Sequence, residues 1–433
     1  MINHILRNSF FKKRLKILEH KKKSYFISRS IDEIKQYQID HFNKIWHKAI
    51  IEIPFYQHWK KEYNLPNFIK SLDELKYFPV LEKKHIQKNQ DSIFLSLKNY
   101  NVISTGGSTG KPTRFPISDE ELLNSYANQY LARGWWGIKP LDRIIFIWGH
   151  SHLFGDGIKG KINQYKRLLY DWIINTKRLS AYDMSLNSIE KYYQILKKSN
   201  PVMIMGYTSS IYKIAKYIDE NNLNIKNHSN LKGVVVTSET VTNYEVNLIE
   251  KIFNVPCIIE YGMAETGVIA YSKKSSDNIE LFWDTFIGVK DNENVLNITT
   301  INDRIFPLIN YKTDDLIESN DNHHILKIKK ILGRKNDFIK IKVGNNILET
   351  HSEFFTHILK SIKGVINFKV IQKKNLAIEI KYVSLNDSDI SVSFFNEVCK
   401  EFNSVDKNIF SFTKVNEIPK TIAGKANWIE VQK

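Results

Sequence analysis

Cysteine is nearly absent, with only Cys257 and Cys399 in 433 residues. Two thiols exclude a disulfide framework and a thiolate zinc site, and they suit a reducing compartment. Long apolar runs are missing as well. Stretches such as Ile144 to Trp148 fall far short of the roughly 20 residues that cross a bilayer, so no transmembrane helix is expected. Met1 to Ser30 has neither the apolar centre nor the small-residue cleavage site of a secretory signal, which makes the cytoplasm the expected location. Acidic residues are in deficit, 46 against 63 lysines and arginines, for a net charge of +17. What remains is ordinary for a globular chain: 42% hydrophobic and 25% charged residues exclude wholesale disorder. At roughly 150 residues per domain, the length allows two or three domains.

A basic balance raises nucleic acid, membrane surface and acidic substrates as partners. Nine basic residues, Arg7, Lys12, Lys13, Arg14, Lys16, Lys21, Lys22, Lys23 and Arg29, face Glu19 alone within residues 1–30. Ile5, Leu6, Phe10, Phe11, Leu15 and Leu18 interleave with them at near-helical spacing. Two readings follow: a helix over residues 1–23 in weak contact with an anionic membrane surface, or a solvated helix packing its apolar stripe on the body of the protein. No zinc finger, RNA-recognition sheet motif or basic zipper is present, and no nucleic-acid partner is expected.

From about residue 100, strand-length apolar runs alternate with amphipathic helical patterns, the signature of a parallel sheet wrapped by helices. The expected strands are Val102–Ile103, Arg143–Trp148, Pro201–Tyr207, Lys232–Thr237 and Pro256–Tyr261. Thr242 with Glu245 forms a capping box that opens a helix running to about Phe253. Beyond about Gly333 a smaller α+β unit is expected, with strands Phe368–Ile371, Leu376–Tyr382 and Ser411–Val415 and a helix over Val392–Phe402. The division reads as a basic segment 1–30, a large domain 31–335 and a small domain 336–433.

Val102 and Ile103 lead into Ser104-Thr105-Gly106-Gly107-Ser108-Thr109-Gly110-Lys111-Pro112. Glycines let backbone N–H groups approach anionic oxygens, hydroxyls add donors and the lysine adds charge, so phosphate is the natural ligand. Three residues rather than four separate Gly106 from Gly110, and Pro112 stands where a Walker loop needs a hydroxyl for magnesium, which disfavours a P-loop NTPase. His150 and His152 near Asp156 make a polar loop rather than a metal ligand set.

The glycine-rich segment resembles the signature loop of the adenylate-forming superfamily of acyl- and aryl-CoA ligases, and four further segments match that family in order. Tyr261-Gly262-Met263-Ala264-Glu265 resembles its tyrosine-glycine-to-glutamate motif, and Tyr311-Lys312-Thr313-Asp314-Asp315 its aspartate motif. Gly333-Arg334-Lys335-Asn336-Asp337 resembles the hinge, and Pro419 to Lys425 the catalytic-lysine loop. Ile53-Pro54-Phe55-Tyr56, Phe78-Pro79-Val80-Leu81 and Gly206-Tyr207-Thr208-Ser209-Ser210 are most similar to the phenylacetate-CoA ligase branch, specifically the CapK-like proteins associated with surface-polysaccharide synthesis. The resemblance spans roughly nine-tenths of the chain. It implies an α/β fold: a large N-terminal adenylate-forming domain with parallel sheets wrapped by helices, plus a small mobile C-terminal α+β domain.

The same resemblance implies ATP, Mg2+ and coenzyme A as cofactors and a carboxylic acid as substrate. Lys425 would bridge the carboxylate and the α-phosphate, countering charge as it develops. Glu265 would be the magnesium ligand and a catalytic residue. Thr105, Gly106, Gly107, Ser108, Thr109, Gly110 and Lys111 would cradle phosphate, with Gly262, Met263 and Ala264 beside them. Asp315 would accept hydrogen bonds from the ribose hydroxyls, with Arg334 completing ribose and phosphate contacts. Tyr261 offers a face for adenine, and Ser238, Glu239 and Thr240 form the adenine side. Tyr207, His150 and Met263 would line the acyl pocket, Asn336 would be the hinge, and Gly344 would lie beside the pantetheine path.

The chain departs from the family pattern at Asp314, where glycine is usual, at Asn336, at Glu349 and at Ala264, which lacks a hydroxyl. Three readings stay open: acyl transfer to coenzyme A, acyl transfer to an amine or hydroxyl such as one on a sugar, and a non-catalytic scaffold that keeps the fold.

Overall fold

The computed structural model describes residues 2–25, 29–95, 97–105, 113–149, 157–225, 229–321, 323–334, 338–344, 346–384, 389–402, 405–419 and 428–432. Its centre is an eight-stranded sheet. In spatial order its strands are Lys327–Ile328, Ile279–Leu281, Gly267–Ser272, Cys257–Met263, Gly233–Thr237, Met203–Tyr207, Ile144–Trp148 and Thr176–Ser180. The five from Cys257–Met263 to Thr176–Ser180 run parallel; the other three are antiparallel. Met203–Tyr207 and Gly233–Thr237 are buried at every position, which is why they read as unbroken apolar runs.

Helices Leu186–Ser199, Thr208–Glu220 and Asn243–Phe253 wrap the parallel strands. The Thr242–Glu245 capping box forms as expected. Asn200 and Asn254 end their helices at φ 42° and 54°, a left-handed conformation that asparagine tolerates well. A second, antiparallel sheet of five strands, His324–Ile325, Phe286–Lys290, Val295–Thr300, Tyr311–Glu318 and Lys330–Arg334, was not anticipated. It shares one core with the helices Ile31–Glu52 and Pro54–Glu62.

A separate core gathers residues between Ile339 and Val431. There a sheet in the order Phe410–Lys414, Ile378–Ser384, Val365–Gln372, Ile429–Val431 packs with helices Ser352–Ser361 and Ser391–Glu401. The strand expected from Leu376 begins at Ile378, because Leu376 sits in a turn at φ 67°.

The N-terminal basic segment is a helix, Ile2–Tyr25, whose Phe11, Leu18 and Tyr25 are buried, with Leu15 half-buried, and whose Lys21 reaches Asp284 at 2.6 Å; the side chains of Ile5, Leu6 and Phe10 lie outside the described ones. Lys12, Lys13, Lys16 and Lys23 are exposed. No helix among the described residues is long and apolar enough to cross a membrane.

Candidate active site

The matching segments converge at the C-terminal ends of the parallel strands, the edge where open α/β sheets bind ligands. Tyr207 ends one strand, Ser238 follows the next, and Tyr261-Gly262-Met263 ends the third. The hairpin Asn101–Ser104 with Arg114–Ile117 carries the glycine-rich loop. Gly106 to Pro112 lie outside the described residues, but the base of the loop is defined: Thr105 N–H donates to the Thr113 carbonyl at 3.0 Å, and Thr113 N–H to Thr105 Oγ1 at 3.2 Å. Phe115, on the returning strand, meets the Tyr311 ring edge-on at 6.3 Å.

Tyr311 opens the aspartate motif, and its hydroxyl donates to Glu265 Oε1 at 2.7 Å. Burial and the neighbouring carboxylate push that phenol far above its ordinary range, so it stays a donor. Glu265 is 2% exposed. Its carbonyl accepts from Arg304 at 2.8 Å, and buried Arg304 pairs with Glu121 at 3.2 Å. Lys83 Nζ lies 3.7 Å from Glu265 Oε1. The segment bearing Lys83 is stitched to the motif by Leu81 N–H on the Asn310 carbonyl and Lys312 N–H on the Leu81 carbonyl, both at 3.0 Å.

Four residues further along the strand, Asp315 accepts a hydrogen bond from the Tyr261 hydroxyl at 2.8 Å. Arg334 stands opposite Asp315 in the strand register. Burial raises the Asp315 pKa, and the charges of Arg334 and Lys83 together with the Tyr261 hydrogen bond oppose that rise. Asp314 adopts φ 63°, so the position where the family usually has glycine is left-handed here too, and aspartate is among the few residues that enter that region readily. A Cβ on Gly262 would come within 2.5 Å of the Gly267 carbonyl oxygen, which accounts for glycine at the bulge between the two strands.

Ser238 is likewise left-handed at φ 68°, a local strain of the kind that gathers at functional sites. The next residue, Glu239, accepts from Ser209 N–H at 2.7 Å and Ser209 Oγ at 3.1 Å, which ties Ser238-Glu239-Thr240 to the Gly206-to-Ser210 segment. Tyr207 is buried, with its ring 4.2 Å from that of Trp148. Met263 is half-buried. A cavity of about 50 Å³ behind Ala264 and Gly267, lined also by Ser125 and Asn128, has room for only a few waters. Gly344 sits in the turn of the hairpin Phe338–Val343 with Asn346–His351 at φ 59°, a conformation that by itself calls for glycine. Lys425, Asn336 and His150 lie outside the described residues, and the side chain of Glu349 is likewise undescribed.

Thus Glu265, Asp315, Tyr261 and Arg334 come together, while Tyr207 and Ser238 stand along the same sheet edge. Lys83, Tyr311 and Arg304 were not anticipated as site residues. Lys83 follows a segment singled out for another reason, and the lysine two residues after Leu81 was the available signal.

The two-sheet body and appended small lobe define the fold of the adenylate-forming ligases. The structure of 2-hydroxyisobutyryl-CoA ligase in the postadenylation state with its acyl-AMP matches with a TM-score of 0.71, at 16% identity over 92% of this chain and 89% of that one. The same ligase in the thioesterification state, with its acyl-AMP and CoA, gives 0.56, at 17% identity over 93% and 90%. In sequence, the chain is similar to Protein CapK of Staphylococcus aureus, 26% identical across 92% of this chain and 89% of that protein. No family model matches the chain.

Proposed function

We propose that this chain is an ATP-dependent ligase that adenylates a carboxylic acid and passes the acyl group to coenzyme A. The observation that carries the reading is the convergence of Glu265, Tyr261, Asp315 and Arg334 at the C-terminal sheet edge, where Phe115 of the hairpin that bears the glycine-rich loop packs on Tyr311. In the first half-reaction a carboxylate oxygen attacks the α-phosphorus of ATP, the α–β bridging bond breaks and pyrophosphate leaves. In the second, the acceptor attacks the acyl carbon and AMP departs.

Asp315 holds the ribose through two hydroxyls, and Tyr261 and Arg334 keep its carboxylate in place. Glu265 is the residue to hold magnesium. Its Oε1 accepts from Tyr311 and among the described residues its Oε2 carries no hydrogen bond, which leaves a carboxylate oxygen for an ion that also takes substrate phosphates. Bound there, magnesium would supply charge neutralisation for the phosphates. Lys425 would supply a cation for the reacting oxygens.

The relation to CapK across nine-tenths of the chain favours a second reading of the acceptor, an amine or hydroxyl on a sugar. Pyrophosphate exchange into ATP across aromatic, fatty, amino and sugar acids tests the adenylation. Thioester formation that requires coenzyme A separates the two acceptors. No exchange with any acid leaves the scaffold reading in its place.

Asp315→Ala is expected to weaken ATP and AMP alike and to reduce the preference for ribose over deoxyribose nucleotides. Because burial raises the pKa of this carboxyl, and the ribose hydroxyls need its ionised form, wild-type affinity should start to fall on acidification above the ordinary aspartate range. Calorimetric titrations across pH check both; equal affinities in wild type and variant would remove Asp315 from the ribose site.

A further inference from the structure

Residues 161–166 of helix Gly157–Ile173 are exposed on every side, but its C-terminal part, from Arg167, is mounted with the polar side inward. Asp171 is buried and accepts from Arg178 Nε at 2.9 and 2.8 Å, with Arg167 Nε at 3.5 Å. On the same side, the Tyr170 hydroxyl accepts from Arg14 of the N-terminal helix at 3.3 Å. The opposite side carries Ile162, Tyr165, Leu168, Leu169 and Trp172, each between 46% and 73% exposed. At 100° per residue these five fall within an arc of about 120°. A helix resting on a water-exposed body normally does the reverse, so this apolar stripe is shaped for something outside the chain.

The charges around it select the occupant. Lys161, at the N-terminal end of the stripe, and Lys166, beside it, are exposed, and the adjoining N-terminal helix turns Lys12, Lys13, Lys16 and Lys23 to solvent. The only carboxylate on the helix, Asp171, is already taken by Arg178. A second copy related by a two-fold axis would set this basic face against itself. An anionic lipid surface instead accepts the aliphatic side chains below the headgroups, the Tyr165 ring at headgroup depth and the lysines on the phosphates. We propose that helix Gly157–Ile173, flanked by the basic N-terminal helix, docks the protein on an anionic membrane surface. Phe11, Leu18 and Tyr25 of the N-terminal helix are spent on packing against the body, so the apolar part of the contact belongs to residues 162–169.

The test is sedimentation of the full chain with vesicles of phosphatidylglycerol and phosphatidylcholine, against pure phosphatidylcholine, at low and physiological salt. The wild type should pellet with the anionic vesicles and release as salt rises. The double variant Tyr165→Ser, Leu169→Ser should partition at least about tenfold less while keeping its thermal midpoint, since both side chains are largely exposed. Failure of the wild type to pellet, equal pelleting of the variant, or a wild-type dimer that the substitutions turn into a monomer would each overturn the proposal, the last in favour of a second copy. Pelleting needs no nucleotide or acid, so its outcome is independent of the adenylation reading.

Discussion

Lys425→Ala is expected to lower acyl-adenylate formation by roughly a hundredfold to a thousandfold, about 2.7 to 4 kcal/mol, while leaving ATP affinity near that of the wild type. The asymmetry follows from where the charge is. Before reaction the carboxylate and the triphosphate are two anions held apart; as the new bond forms, negative charge gathers on the oxygens around one phosphorus. A cation aimed there stabilises the transition state far more than the ground state, so its loss appears in the rate and not in binding. Among the described residues, Lys83 is the lysine paired with Glu265, but it is held on a segment fastened to the body by Leu81. Lys425 instead precedes by three residues Trp428, whose carbonyl accepts from Val370 N–H at 2.8 Å and whose ring stacks 4.4 Å from Phe368. Single-turnover formation of acyl-AMP, beside a nucleotide titration, checks the prediction. Parental rates in the variant would dismiss the lysine.

How far the sequence went depends on what kind of burial each segment has. The parallel strands were legible because both of their faces are covered, and only apolar runs such as Gly233–Thr237 satisfy that. The antiparallel sheet was hidden by its composition. Val295–Thr300 is buried at all six positions although half of it is Asn297, Thr299 and Thr300. The two threonines are tolerable inside because Thr299 Oγ1 accepts from Asn310 N–H and Thr300 Oγ1 from Leu308 N–H, each at 2.9 Å, bonds that no periodicity announces. The candidate site divides in the same way. Glu265 and Asp315 stand in motifs whose local spacing is distinctive, whereas Lys83 arrives from 182 residues before Glu265 in the chain, and only the folded register at Leu81 and Tyr311 brings it there. Helix Gly157–Ile173 shows a third limit. Its amphipathic pattern is ordinary, and the inward turn of the polar side depends on Arg178, which lies on the next strand.

Glu245 was legible as a cap and not as what else it is. Its Oε2 closes the capping box with Thr242, and its Oε1 meets Lys360 of the small lobe at 2.6 Å, with both side chains buried. Around that pair, Lys216 Nζ donates to the carbonyls of Lys360 at 3.2 Å and Val365 at 2.6 Å, and the Tyr212 hydroxyl to the Lys360 carbonyl at 2.9 Å. The Lys360 ammonium also lies 5.0 Å from the Trp428 ring. Lys360→Met is therefore expected to strand a buried carboxylate, a loss of about 3 to 5 kcal/mol for a fully buried pair. Because the partners sit on different lobes, the cheapest relief is for the small lobe to come away and let water reach Glu245, so the loss should appear as undocking before global unfolding. Scattering should show a larger radius of gyration, and proteolysis should cut sooner near residues 335–337. Glu245→Gln placed on top of Lys360→Met removes the stranded charge, keeps an acceptor for Thr242 and should recover much of the compactness. If the adenylation reading holds and this docked arrangement is the one that adenylates, pyrophosphate exchange should fall more than thioester formation from supplied acyl-AMP. An unchanged radius of gyration together with equal loss in both half-reactions would mean that the pair stabilises the fold without setting the orientation of the small lobe.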